Sequence, residues 1–147
     1  MKSRDVFAEL AEEVGREEVF DVAIFPRLRS RYPVRDRWSV RNLLRRMCYP
    51  VISETKTGIP LWSPTRYRED ATRGSANVES IGLAVLDVDD GTGLEALLEP
   101  WAGAVVLAHS SPSHTPRAPR WRLIVPLARR VPAGLWFAAW SVLAERC

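Results

Sequence analysis

Lysine is almost missing from this chain: of its 21 basic residues only Lys2 and Lys56 are lysines, and the rest are arginines. Cysteine is as scarce. Cys48 and Cys147 lie far apart and in no metal-ligand spacing, which excludes a disulfide framework and leaves two reduced thiols without chemistry. No apolar run approaches the roughly 20 residues of a membrane span, and the opening Met1-Lys2-Ser3-Arg4-Asp5 lacks the apolar core of a secretory signal. The expectation is a cytoplasmic protein with no membrane partner. Repeats and low-complexity tracts are absent as well. Acid is missing locally: from Ser110 to Arg130 there is none, while Arg117, Arg120, Arg122, Arg129 and Arg130 stand there, in a chain whose net charge is only +3. Arginine's planar fork suits phosphate recognition, although a preference for Arg over Lys also follows from a GC-rich genome.

With 147 residues, 46% apolar content and six tryptophans, the chain can fill the core of one domain, 1–147. Val6, Phe7, Leu10, Ala11 and Val14 recur at helical spacing before Gly15, which predicts an amphipathic opening helix. Val19 to Phe25 reads as a short strand closed by Pro26, and the basic stretch Arg27 to Arg37 as a loop. Ser39 can cap a helix with Val40, Leu43, Leu44 and Met47 on one face. From Ser53 to Asn77, Pro60, Pro64, Gly58 and Gly74 predict an irregular connection. The pattern then tightens into strand Ile81–Val88, a helix capped near Thr92 and ended by Pro100, strand Ala104–Ala108, a polar loop, and strand Trp121–Leu127. A last helix starts near Pro132 and Ala133, with Leu135, Trp136, Ala139, Trp140 and Leu143 on its buried side. The expected class is α+β, a split β-α-β sheet of RNA-recognition type with helices on one face. A helical or irregular unit over 1–54 precedes this core portion over 55–147.

Two segments carry chemistry. Ala84-Val85-Leu86-Asp87-Val88-Asp89-Asp90 is an apolar strand that delivers carboxylates at its end, followed by Gly91-Thr92-Gly93. Strand alternation points Asp87 and Asp89 the same way, whereas Asp90 points away or begins the turn. Two carboxylates on one face repel unless a cation sits between them, and Mg²⁺ or Mn²⁺ does this while leaving positions for phosphate oxygens. Such a triplet also serves as a turn and helix cap. The second segment, His109-Ser110-Ser111-Pro112-Ser113-His114-Thr115-Pro116-Arg117-Ala118-Pro119-Arg120-Trp121-Arg122, is dense in hydroxyl, imidazole and guanidinium groups. Ser113 and His114 can donate hydrogen bonds to a triphosphate, and Arg120 and Arg122 share one strand face, opposite Trp121. Arg117, Arg129 and Arg130 read as solvated charges, and His109 has no assigned role. Lys56 and Arg73 are either loop charges or contacts to nucleotide or template. Trp62, Trp101, Trp121, Trp136 and Trp140 are packing residues or, as a minority reading, base-stacking ones.

The stretch "TGIPLWSPTRYREDATRGSANVESIGLAVLDVDD", then "LDVDDGTGLEALLEPW" and "HSSPSHTPRAPRWRLIVPLARRVP", resembles the archaeo-eukaryotic primase superfamily, in particular the primase-polymerase domains of plasmids, phages and other mobile elements. The likeness spans roughly positions 55 to 143 and lies in the order and spacing of three motifs rather than in any one. It implies template-directed, two-metal nucleotidyl transfer from nucleoside triphosphates. The family's first motif falls on Asp87 and Asp89, as metal ligands for Mg²⁺ or Mn²⁺. Its second falls on Ser113 and His114, as phosphate contacts with His114 in the catalytic set, and its arginine-bearing strand on Arg120 and Arg122. A third acidic motif on a later strand is not reached before Cys147, so the resemblance implies the N-terminal and central part of such a domain. Expected partners are nucleoside triphosphates, a single-stranded DNA template, and a helicase domain or subunit on another chain. The alternative is a catalytically inactive or incomplete nucleic-acid-binding module of the same fold. A metal-dependent nuclease or a glycosyltransferase explains the Ser-His-Thr-Pro and Pro-Arg-x-Arg segments less well.

Overall fold

Val19 to Phe25 forms strand β1, with Phe20, Val22, Ala23 and Phe25 buried. The computed structural model describes residues 18–49, 55 and 57–147, so the opening helix over Val6–Val14 and the side chain of Lys56 lie outside the described residues. The chain divides into two compact units, Met1–Val78 and Glu79–Cys147. Its strands form antiparallel sheets and alternate with helices, an α+β protein. Among the described residues no helix is long and apolar enough to cross a membrane.

In the first unit β1 is the central strand of an antiparallel sheet of order β2-β1-β3, with β2 at Val34–Ser39 and β3 at Leu61–Ser63. The loop expected over Arg27–Arg37 is therefore shorter than the sequence suggests, and the supposedly helical or irregular unit contains a sheet. The physical reason is that β2 is an edge strand. Val34, Arg35, Asp36 and Arg37 are all exposed and only Trp38 turns inward, so the strand shows no alternation. Charged side chains are the usual protection of such an edge. Asp36 fixes the buried Trp38 by accepting its indole N–H at 2.8 Å, and this bond, with the Arg37 amide, holds the Asp36 carboxyl below the usual carboxylate range. β3 and a further short strand, β4 (Thr65–Tyr67), lie within the expected irregular connection.

Ser39 ends β2 and caps helix α1 (Val40–Cys48): its Oγ accepts the Asn42 amide at 3.2 Å, while Val40 and Leu43 bury the apolar face. Ser39→Ala should cost about 1 kcal/mol through the orphaned first-turn amide. The thermal midpoint should fall by a few degrees with no change in the folded-state spectrum.

In the second unit β5 (Val78–Val88, entering from the first), β7 (Trp121–Pro132) and β6 (Leu107–Ser110) run side by side in that order, antiparallel throughout. β5 and β6 thus run parallel to each other with β7 between them. Helix α2 (Leu94–Leu98) connects β5 to β6, and helix α3 (Trp136–Ala144) follows β7. Ala84, Leu86 and Val88 of β5 share one face with Leu123 and Val125 of β7, and Leu97 and Trp101 close this core. Each of the Leu and Val side chains contributes about 1.5–3 kcal/mol by burial. Pro126 stands where the register between β5 and β7 shifts, a position that needs no ladder N–H.

Several boundaries differ from the expectation: β5 begins at Val78 rather than Ile81, β6 ends at Ser110 rather than Ala108, and β7 runs on to Pro132 rather than ending at Leu127. β6 begins at Leu107 rather than Ala104, because a 3₁₀ turn over Glu99–Trp101 and the left-handed Gly103 (φ 83°) consume the preceding residues in reversing the chain. Leu135 and Trp140 are 62% and 42% exposed rather than buried, whereas Trp136 and Leu143 pack on the core. A 3₁₀ turn over Ala133–Leu135 precedes α3, and its three residues per turn take Leu135 out of the helical phase that the sequence spacing assumed.

Candidate functional site

Residue alternation along β5 sends Leu86 and Val88 into the core and leaves Asp87 and Asp89 on the other face, both exposed. Register decides what each one meets. Asp87 lies directly opposite Arg122 of β7, and the pair closes in a bidentate ion pair: Nε to Oδ1 at 2.6 Å and Nη2 to Oδ2 at 3.1 Å. Asp89 meets Arg120 more loosely, at 3.7 Å. Hydrogen bonding to the Asp87 carboxylate pushes the Arg122 guanidinium further up. With side chains 38% and 55% exposed, the Arg122–Asp87 pair adds no more than about 1 kcal/mol to stability. It is a charge balance open to solvent rather than a structural anchor.

Asp90 does the work of a turn, its Oδ1 accepting the Thr92 amide at 2.9 Å; that hydrogen bonding holds its carboxyl below the usual range. The helix cap itself is Gly93, one residue beyond the expected Thr92.

The loop between β6 and β7 is internally bonded. Ser111 N–H donates to the Arg120 carbonyl at 3.0 Å, His114 N–H to Ser111, and Thr115 and Ala118 exchange both backbone bonds. The two histidines are set in opposite tautomers. His114 Nδ1 lies 3.1 Å from the Arg120 N–H and 3.3 Å from the Arg120 carbonyl; the N–H can only donate and is the nearer, so Nδ1 is assigned as its acceptor and the ring proton to Nε2. Ser110 C=O can only accept, so His109 Nδ1 donates to it at 3.0 Å. Trp121 joins the two segments: its indole N–H donates to the Thr92 carbonyl at 3.0 Å, and its ring meets His114 edge-on at 4.6 Å. Trp121 packs against the core, on the face of β7 opposite Arg120 and Arg122, so it meets the loop through His114 and Thr92 rather than the carboxylates.

The structure therefore brings Asp87 together with Arg122, and Asp89 with Arg120. Ser113 is exposed and makes no hydrogen bond to either carboxylate, nor does His114; His114 connects to the pairs through the Arg120 backbone, and Ser113 precedes it in the loop. His109, unassigned from sequence, lies opposite Arg122 in register, so Asp87, Arg122 and His109 form one row across three strands. A cavity of about 250 Å³ opens at the end of β5, where Asp87, Asp89 and Asp90 meet Leu86, Val88 and Trp140.

Among the described residues no group of three or more His, Cys, Asp or Glu side chains converges. Two carboxylates do not make a self-sufficient cage. They suit a hard cation that shares its shell with phosphate oxygens, since Mg²⁺ is commonly held by one or two carboxylates plus substrate phosphates. No family model matches the chain, and no curated protein or solved structure does either.

Proposed function

We propose that the second unit is the nucleotidyl-transfer portion of a primase-polymerase, on a split β-α-β sheet of RNA-recognition type. The strand order β5-β7-β6 with its helical crossover supports that sheet, since the first and second strands flank the third. The observation that carries the function is the carboxylate pair Asp87 and Asp89 facing Arg122 and Arg120, solvent-open at one end of the sheet. Both signs of charge that a metal-triphosphate needs are held there in register.

Asp87 and Asp89 would hold Mg²⁺ or Mn²⁺, which when bound stabilises charge on the attacking and leaving oxygens of phosphoryl displacement. Arg120 and Arg122 neutralise the carboxylates until a triphosphate arrives, then bind its oxygens. Arg122, already aligned for two parallel bonds, is suited to a bidentate phosphate contact. His114 Nε2–H and the Ser113 hydroxyl donate to the same phosphates. A single-stranded DNA template and a helicase domain or subunit on another chain complete the reading, with a role in copying a mobile element.

The test is incorporation of labelled nucleoside triphosphate on primed and unprimed single-stranded DNA with Mn²⁺ or Mg²⁺. Cation-dependent incorporation is the expected result. Template binding with neither triphosphate binding nor incorporation would overturn it in favour of a binding module of the same fold, a reading that the two-acid ligand set favours.

A further inference from the structure

The first unit carries a concentration of positive charge that the nucleotide site does not use. Between Arg27 and Arg46 stand eight arginines against one acid, Asp36. Arg27, Arg29 and Arg31 are exposed on the loop joining β1 to β2, and none has a carboxylate partner among the described residues. Arg35 and Arg37 follow on the edge strand β2; their carboxylate partners among the described residues are the 82% exposed Glu69, at 3.4 Å from Arg35, and Asp21, at 3.9 Å from Arg37. Two neighbours are otherwise engaged: Arg46 stacks on Trp38 at 4.2 Å, and Arg41 has its own partner.

Charge on an edge strand is ordinary protection, and solvated charge needs no fixed loop. This loop is fixed. Arg73 donates its backbone N–H to the Arg31 carbonyl at 2.6 Å and its Nη1 to the Leu28 carbonyl at 2.7 Å, and lays its guanidinium over the Phe25 ring at 4.7 Å. Ser30 closes the turn with 3.0 Å bonds to and from Arg27. Arg73 therefore spends its own charge inside the loop and holds three other arginines outward. Tyr32, 62% exposed, stands between Arg31 and β2 and offers a ring face.

We propose that the β1–β2 loop and the β2 edge form a preorganised arm that binds single-stranded nucleic acid through its phosphates, with Tyr32 as a stacking platform and Arg73 as the positioning residue. Forked cations in a row with an interleaved aromatic ring are what single-strand tracking requires, and the arm's exposed apolar side chains, Leu28, Tyr32 and Val34, stand singly among charges on a loop and an edge strand rather than along one face of an amphipathic helix, by which a basic segment enters a lipid surface. The proposal rests on the reading above only in taking nucleic acid as the partner.

The test is fluorescence anisotropy of the full chain with a labelled single-stranded oligonucleotide across a salt series, without nucleotide or divalent cation. Arg27→Ala/Arg29→Ala/Arg31→Ala should make the log–log salt slope shallower by about 2, at about 0.7 per phosphate contact. Between 50 and 200 mM salt the native chain should then lose about 20-fold more affinity than the variant. Arg27→Lys/Arg29→Lys/Arg31→Lys should retain the slope. Arg73→Ala should weaken binding while leaving the slope nearly unchanged, which loss of a phosphate contact would not do. An unchanged slope in the alanine variant, or binding to anionic lipid vesicles in place of the oligonucleotide, would overturn the proposal. Binding that follows these rules in a chain that incorporates nothing would sink the nucleotidyl-transfer reading alone. Incorporation with an unaffected alanine variant would sink the arm alone.

Discussion

Asp87→Asn is expected to reduce cation-dependent incorporation by about 10²–10³-fold, the range found when one preorganised electrostatic group is removed from a reacting centre. The same change should shift stability by less than about 1 kcal/mol, because the bidentate pair it weakens is solvent-exposed on both sides. Asparagine is nearly isosteric and keeps an oxygen for Arg122 Nε, so the substitution removes charge rather than shape. Separation of the two effects is the decisive feature. A residue that merely pairs Arg122 would change neither quantity much. Asp90→Asn is the internal control: asparagine can still accept the Thr92 amide, so the turn and the activity should both survive. Initial-rate assays beside thermal melts of the three proteins settle the matter, and an active Asp87→Asn chain would remove this carboxylate from the mechanism.

What could be read in advance follows from which interactions are local. β1 was legible to the residue, since Pro26 closes a β-prone run, and so was α1, since Ser39 is a cap whose partner lies three residues away. The order of elements from β5 to α3 was legible because apolar periodicity changes from two to about 3.6 along that stretch. β2 was not, because an exposed edge strand has no buried face to impose alternation. For the site, alternation gave the shared face of Asp87 and Asp89 and the opposition of Trp121 to Arg122. It could not give their partners. That Asp87 meets Arg122, and Arg122 meets His109, is set by register across three strands whose contacts are up to 35 residues apart in sequence. The opposite tautomers of the two histidines were equally out of reach, because each depends on one backbone group of a folded loop.

Those tautomers make His114 separable into two halves. Nδ1 accepts the Arg120 amide and so orders the loop; Nε2–H faces outward from that bond and is the group assigned to phosphate. In His114→Asn the side-chain oxygen can stand where Nδ1 stood, which keeps the loop bond and deletes the outer donor. In His114→Gln the amide reaches where Nε2 stood, which keeps a donor and deletes the loop acceptor. Incorporation should fall about 100-fold in His114→Asn, about 2.7 kcal/mol of transition-state stabilisation, while hydrogen-exchange protection of the Arg120 amide persists. His114→Gln should show the reverse: the Arg120 amide exchanges faster, and incorporation falls less, through a higher KM for the triphosphate. Both variants lose the imidazole edge against Trp121, worth about 0.5–1.5 kcal/mol, so their stabilities should fall together and cannot explain a split in activity. If both lose activity in proportion to loop exchange, His114 orders the loop and touches no phosphate. If His114→Asn alone loses it with the loop intact, the proton on Nε2 is the functional one, and the Arg120 amide is what puts it there.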